Sequence, residues 1–374
     1  MTNILSHHQL PLARCIAAQL GTDNFRFAVT DLPSRERKAF GWNSDEADTW
    51  IVRAGETERD RERFEHWWRE ADVVICGQRL LERIDQRLKN GKLTFYMSER
   101  WWKRPIGIAR LLSPRFAVMT RQFRRLASST FFHFLPISDY SADDMKRIAP
   151  FGCRMWRWGY FTATPEPLRS CDRADKKFRV LWAGRMLSWK RVDTLVKAFA
   201  RLLTKRSDAA LTLVGDGPER KHLERMAARL LLPGSYRFFS SQPAPEIPKL
   251  MQRHHVYVLP SNAYEGWGAV INEAMAEGCA VLASEAAGAA KSIIRDGENG
   301  LLFRTGDWRR LGELLCAVAN DESRRIGLAQ AGQRTIAEIW SPAEAAERFL
   351  SICGALLEGH PSPVFDHGPM SPPY

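Results

Sequence analysis

From Phe178 onward the chain alternates without a break between short apolar runs and longer segments of helical periodicity, and no other feature limits its fold as much. The runs FRVLWAG (178–184), ALTLVG (210–215), YRFFS (236–240), VYVLP (256–260) and AVLAS (280–284) are separated by VDTLVKAFARLL, by residues 219–231, by IPKLMQRH and by VINEAMAEG. Strands apolar on both sides must be covered on both faces. The segment therefore predicts a doubly wound α/β domain with a parallel sheet.

Residues 1–160 repeat the alternation less regularly, with NILSH, FRFAVT, ADVVIC, KLTFYMS and FHFLPIS as expected strands and LARCIAAQLG and RERFEHWWREA as expected helices. They read as a second Rossmann-like domain. Residues 161–177, rich in proline and charge and without periodicity, are expected to be a linker joining it to a domain over 178–340. The proline-rich tail, 359–374, is expected to be disordered.

A length of 374 residues with 45% hydrophobic and 26% charged residues suits two globular domains and excludes extensive disorder. No stretch of eighteen apolar residues exists and the start lacks a basic segment followed by an apolar core, so a cytoplasmic protein is expected. Seven scattered cysteines without a CxxC pair argue against disulfides and zinc.

Charge is uneven. The net value is +12, and Arg100, Lys103, Arg104, Arg110, Arg115, Arg121, Arg124 and Arg125 fall between positions 100 and 138 with no acidic residue among them. Trp101, Trp102, Phe131, Phe132 and Phe134 share that stretch. It reads as a docking surface for an anionic membrane, as a solvated helix face, or as a nucleic-acid surface; no nucleic-acid motif accompanies it.

Open parallel sheets bind ligands beyond the carboxyl ends of their strands. The loops there are AGRMLSWKR (183–191), GDGPE (215–219), NAYEGWG (262–268) and EAAGAA (285–290). Arg185 follows Gly184 at once and Lys190 stands five residues later, where a helix begins; an arginine fork and a lysine charge at such a place suit a diphosphate, or are ordinary surface residues. Gly215 and Gly217 belong to a turn that is common for conformational reasons and adds only supporting weight to a ligand site. Gly266 and Gly268 flank Trp267 and let the backbone approach a ligand. Glu265 in that loop and Glu273 in the following helix have seven residues between them; carboxylates there can hold sugar or ribose hydroxyls, or be a solvated loop residue and a helix-start acid.

AGRMLSWKRVDTLVKAF, LTLVGDGPER, LPSNAYEGWGAVINEAMAEGCAVLAS and AAGAAKSIIRDGENGLLF together resemble, in order and spacing, the C-terminal domain of retaining GT-B glycosyltransferases of family 4. The resemblance covers about 178–340. It implies two Rossmann-like domains facing across a cleft and a helix, here 341–358, that crosses back to the N-terminal domain. It further implies that Arg185 and Lys190 bind the donor diphosphate, that Glu265 contacts the donor sugar, that Glu273 holds the ribose, and that the backbone of Gly184, Gly215, Gly217, Gly266, Trp267 and Gly268 lines the donor site. No metal or cofactor belongs to the pattern; the substrate is a nucleotide-diphosphate sugar.

In the first domain the resemblance thins. That family often carries a histidine after a strand reading like TFH, whereas LTFYMSERWW places Ser98 and Glu99 there. Glu99 reads as a catalytic group or as an ion pair with Arg100. His7 and His8, after the first expected strand, are candidate acceptor contacts. His133, inside FFHFLP, reads as a hydrogen-bonded core residue. The function so implied is transfer of a sugar, with retention and without metal, to a saccharide or lipid-linked acceptor by a cytoplasmic or peripheral membrane enzyme of cell-envelope polysaccharide synthesis. The rivals are a nucleotide-sugar epimerase of the same fold and a non-catalytic sugar-nucleotide-binding protein.

Overall fold

The computed structural model describes residues 1–2, 5–31, 48–77, 81–101, 113–170 and 177–373. The chain divides into two compact units, Met1–Thr162 with Ile339–Tyr374, and Ala163–Glu338.

The second unit holds β6 (Arg179–Ala183), α6 (Val192–Leu203), β7 (Ala210–Val214), α7 (Arg220–Leu230), β8 (Tyr236–Phe239), α8 (Glu246–Met251), β9 (Val256–Leu259), α9 (Val270–Ala276), β10 (Ala280–Ser284), α10 (Gly288–Ile293), β11 (Leu301–Phe303), α11 (Trp308–Asn320) and α12 (Glu322–Arg334). Its six strands form one parallel sheet ordered β11-β10-β9-β6-β7-β8. Numbered within the unit and read from β8, the order is 3-2-1-4-5-6, and the direction of winding reverses between β6 and β9. Strands β9 and β10 are buried at every position, as their unbroken apolar runs require. Against the sheet, α6 buries Leu195, Val196, Phe199 and Leu202, and α11 buries Leu311, Leu314, Leu315 and Val318. Asp307 and Asp321 cap α11 and α12 by accepting from the backbone N–H three residues on.

The first unit holds α1 (Leu10–Leu20), β1 (Phe27–Val29), β2 (Ile51–Arg53), α2 (Glu58–Glu70), β3 (Val73–Cys76), α3 (Leu81–Lys89), β4 (Leu93–Ser98), α4 (Pro114–Leu126), β5 (Phe132–Pro136), α5 (Asp139–Ile148) and α13 (Pro342–Glu358). Strands β1 and β2 pair in parallel, as do β3, β4 and β5. Thr2 bridges to Val29 and the Met1 nitrogen donates to Ile75 O at 2.9 Å, so the chain start runs between the two groups of strands. Of the expected strand NILSH, Asn3 and Ile4 lie outside the described residues. Strands β2 and β11 are additions to those expected.

Three expectations are corrected in this unit. The end of the tail is packed rather than disordered: residues 368–371 are buried, and Met370 N donates to Arg157 O and Arg157 N to Ser371 O, both at 2.8 Å. Phe161 and Thr162, placed in the linker, are buried, with Phe161 stacked on Trp340. Finally, three of the aromatic residues of the basic stretch are core, because Trp101 packs edge-on against Phe116 and Phe123, and Phe132 and Phe134 are inaccessible, whereas Phe131 is exposed. Arg100 turns to Asp144 at 3.4 Å and lies over Tyr140. Arg115, Arg121, Arg124 and Arg125 are exposed on α4; Trp102, Lys103, Arg104 and Arg110 lie outside the described residues. As read from the sequence, His133 is a core residue: it is buried, and its Nδ1 accepts from Trp156 Nε1 at 3.1 Å.

Candidate functional site

At the carboxyl ends of β6 and β7 the chain continues the parallel ladder into two loops. Gly184 N donates to Val214 O at 3.0 Å and Met186 N to Asp216 O at 2.8 Å, while Glu219 N returns to Met186 O at 3.0 Å. The approach is so close that a Cβ on Gly215 (φ +138) would lie 1.8 Å from Gly184 O, and one on Gly217 (φ +152) 2.5 Å from Met186 O. Asp216 ties the turn down, accepting from Arg220 Nη1 at 2.6 Å and Ser241 N at 2.7 Å. The backbone N–H of Ser241 and the Arg220 guanidinium hold its carboxyl below the usual range. The glycines of GDGP are thus accounted for by backbone crowding.

A turn of 3₁₀ helix, Ser188–Lys190, leads to α6, and Arg191 takes the left-handed conformation (φ 51) while gripping Asp193 with Nε and Nη2 at 3.0 and 3.3 Å. The turn presents Lys190 to the loop that leaves β9. Lys190 Nζ donates to Glu265 Oε2 at 2.5 Å and lies 4.4 Å from the centroid of the Trp189 ring. Ser261 Oγ, wholly buried, donates to the same Oε2 at 2.8 Å. Asn262 N donates to Trp189 O at 2.9 Å, joining the two loops through their backbones as well. Gly268 (φ +91) leaves room for the Glu265 stem, whose Cγ a Cβ there would meet at 3.3 Å.

The ion pair is 16% and 10% exposed at its two side chains, and it spans the strand ends on either side of the sheet's switch point. Among the described residues Glu265 Oε1 accepts no hydrogen bond. Arg185 stands on the β6 loop, exposed. The sequence reading places Lys190 and Glu265 in one site but does not join them, nor does it find Ser261 or Trp189: partners 75 residues apart leave no periodic trace.

Trp267 is buried, its Nε1 donating to Asn272 Oδ1 at 3.0 Å and its carbonyl accepting from Ala289 N at 2.8 Å, so the backbone of Gly266–Gly268 is fixed from below. Glu273, half-buried in the first turn of α9, has its carboxyl pushed up to about 8 by burial and by the Glu277 carboxylate one turn on.

In the first unit, His7 and His8 stand just before α1 with ring centroids 3.8 Å apart. Burial lowers both, and the neighbouring His7 adds to it for His8, which falls to about 3. Glu99, beyond the end of β4, accepts at Oε1 from Tyr160 OH at 3.3 Å, and the Tyr160 ring lies 6.4 Å from His8. Burial and Glu99 hold the Tyr160 hydroxyl far above its ordinary range. Tyr160 lies in a segment without periodicity, and nothing in the sequence marks it.

Residues 168–335 match the family model described as Glycosyl transferases group 1. The chain is 31% identical over 173 residues to the lipopolysaccharide core biosynthesis glycosyltransferase LpsE of Rhizobium meliloti, covering 46% of this chain and 48% of that one. It is 35% identical over 195 residues to a D-inositol 3-phosphate glycosyltransferase of Nocardia farcinica, covering 48% and 41%. The chain thus spans about half the length of these curated relatives. Among solved structures, HepE of Anabaena in complex with UDP superposes with a TM-score of 0.68 at 16% identity, covering 96% of this chain and 98% of that one. The α/β fold with parallel sheets is that of the GT-B glycosyltransferases. The Lys190–Glu265 pair thus lies within the segment that matches this family model, at the switch point of its sheet.

Proposed function

We propose that the protein is a retaining, metal-independent glycosyltransferase that moves a sugar from a nucleotide-diphosphate donor to a saccharide or lipid-linked acceptor of the cell envelope. The observation that carries this reading is the Lys190–Glu265 pair bridging the β6 and β9 loops inside the glycosyl transferases group 1 segment. Arg185 and Lys190 receive the leaving diphosphate, where negative charge grows as the bond to the anomeric carbon breaks. Lys190 has two further donors beside the one given to Glu265, so one ammonium serves carboxylate and phosphate together. Glu265 faces the sugar, Glu273 the ribose, and the backbone of Gly184 and of Gly266–Gly268 lines the donor. Glu99 and the His7–His8 pair address the acceptor. The test is release of nucleoside diphosphate from UDP-glucose, UDP-N-acetylglucosamine and GDP-mannose, with and without a lipid fraction and EDTA; no turnover of any donor, or loss of turnover in EDTA, overturns it.

Arg185→Ala and Lys190→Ala should each weaken UDP or GDP binding by about tenfold or more and leave nucleoside binding nearly unchanged, since only the diphosphate carries the matching charge. Calorimetric titration of both ligands checks this, and equal losses for the two would remove the clamp.

Glu273 makes a pH-dependent prediction. Because its folded value lies above the ordinary carboxyl range, stability linked to it is full below about 4.5 and falls as pH rises towards 8. A ribose diol donates two hydrogen bonds, which a carboxylate accepts best. Nucleotide binding at pH 7 should therefore release about one proton, and Glu273→Gln should release none. Calorimetry in two buffers of different ionisation enthalpy reads the proton directly.

The exposed face of α4, with Arg115, Arg121, Arg124, Arg125 and the 68% exposed Val118, docks on anionic membrane. Arg124 also donates to Ile148 O and Arg125 pairs with Asp85, so the informative variant reverses Arg115 and Arg121 to Glu. The protein should sediment with phosphatidylglycerol vesicles at low salt, be released as salt rises, and lose binding in that variant. Binding that ignores both salt and charge reversal would make α4 an ordinary solvated helix.

A further inference from the structure

Glu265 has two carboxylate oxygens in different surroundings. Oε2 accepts from Lys190 Nζ at 2.5 Å and from Ser261 Oγ at 2.8 Å, while Oε1 accepts nothing among the described residues. Ser261 is wholly inaccessible, so its hydroxyl cannot meet a ligand; it sits just beyond β9, four residues before the carboxylate it serves. The Glu265 stem occupies the space that the missing Cβ of Gly268 leaves, and Lys190 is itself set by the Trp189 ring. A carboxylate tethered twice at one oxygen has lost rotation about its last bond.

We infer that Ser261 is a positioning residue: it fixes the Glu265 carboxylate so that Oε1 alone is presented to the donor sugar. A single acceptor at a fixed point selects a sugar hydroxyl by direction, whereas a freely turning carboxylate would accept two with poorer geometry. The inference rests on the reading of Glu265 as the group that faces the sugar, and goes beyond it in assigning the atom and the residue that holds it. Lys190 alone cannot do this, because its ammonium is shared with the diphosphate.

The experiment compares Ser261→Ala, Ser261→Cys, Glu265→Gln and the Ala/Gln double variant, reading kcat, the affinity for UDP or GDP, and the melting temperature. The thiol nearly matches the hydroxyl in shape but donates weakly, so Cys guards against a cavity effect. Both Ser261 variants should lose about ten- to a hundredfold in kcat, the range expected for a hydrogen bond to a charged group, with nucleoside diphosphate affinity and melting temperature close to the parent's. In the Glu265→Gln background Ser261→Ala should cost less than about twofold more, because the carboxylate it orients is gone. Parental kcat in the Ser261 variants beside an impaired Glu265→Gln overturns the Ser261 role alone. A Ser261 loss that persists in full in the Gln background, or that falls equally on nucleotide affinity and melting temperature, makes Ser261 merely structural. If Glu265→Gln turns over at the parental rate, the reading of Glu265 falls and this inference with it.

Discussion

Replacing Glu265 by glutamine is expected to slow sugar transfer by about a hundredfold or more while UDP or GDP still binds at near-parental strength. Two losses combine. The negative charge that would steady a cationic sugar in the transition state is gone, and that term acts on turnover far more than on ground-state binding. The second loss is geometric. Lys190 and Ser261 are both donors aimed at one oxygen of residue 265, so the amide must turn its carbonyl towards them. Its NH₂ then occupies the place of Oε1, and a donor stands where the sugar met an acceptor. Steady-state release of nucleoside diphosphate beside calorimetry of the free nucleotide separates rate from binding, and a variant that turns over normally removes Glu265 from the chemistry.

Gly215→Ala is expected to be the most destabilising single methyl in the second unit, on the order of 3–5 kcal/mol. A Cβ at 1.8 Å from Gly184 O cannot be relieved by a rotamer, since both partners are backbone; the β6 and β7 loops must part and give up the bonds from Gly184 N and Met186 N. The control is Gly297→Ala, at φ +83 but with nothing within 4 Å, where only the left-handed backbone resists, about 1 kcal/mol. Thermal melts should show a fall of about 10 °C for the first and a few degrees for the second. Similar melting temperatures for both would mean that the loops are looser than their hydrogen bonds imply.

How much of this was readable before the structure depends on the range of the interaction concerned. Strands β6, β7, β9 and β10 announce themselves because each is an apolar run bounded by glycine, proline or charge, and a strand covered on both faces needs nothing else, while β8, at the sheet edge with Arg237 and Phe239 exposed, is legible from its aromatic residues. Ile51–Arg53 and Leu301–Phe303 escape because three residues carry no period. Trp101, Phe132 and Phe134 mislead for a related reason: aromatic residues next to arginines look like a membrane interface in one dimension, and only packing shows the rings turned inward. The tail misleads because proline and glycine disfavour helix and strand, yet an irregular chain can still be held, here by backbone bonds to Arg157. Within the candidate site the residue types at 185, 190, 265 and 273 are legible as chemistry. What the sequence does not show is that Lys190 and Glu265 touch, since that depends on β6 and β9 lying side by side.

The course of the chain through its two units sets an order of assembly. Ala163–Glu338 is continuous, so every strand of the 3-2-1-4-5-6 sheet has been made before residue 339 is added. The first unit is interrupted. Phe95 and Trp158 wait for Phe349, Phe161 waits for Trp340, and the backbone of Arg157 waits for Met370 and Ser371. During synthesis the earlier-made half therefore carries uncovered aromatic rings for as long as the later-made half takes to emerge, and a chain stopped near residue 338 would present a completed second unit attached to an unfinished first one, exposed to proteases and to its own neighbours.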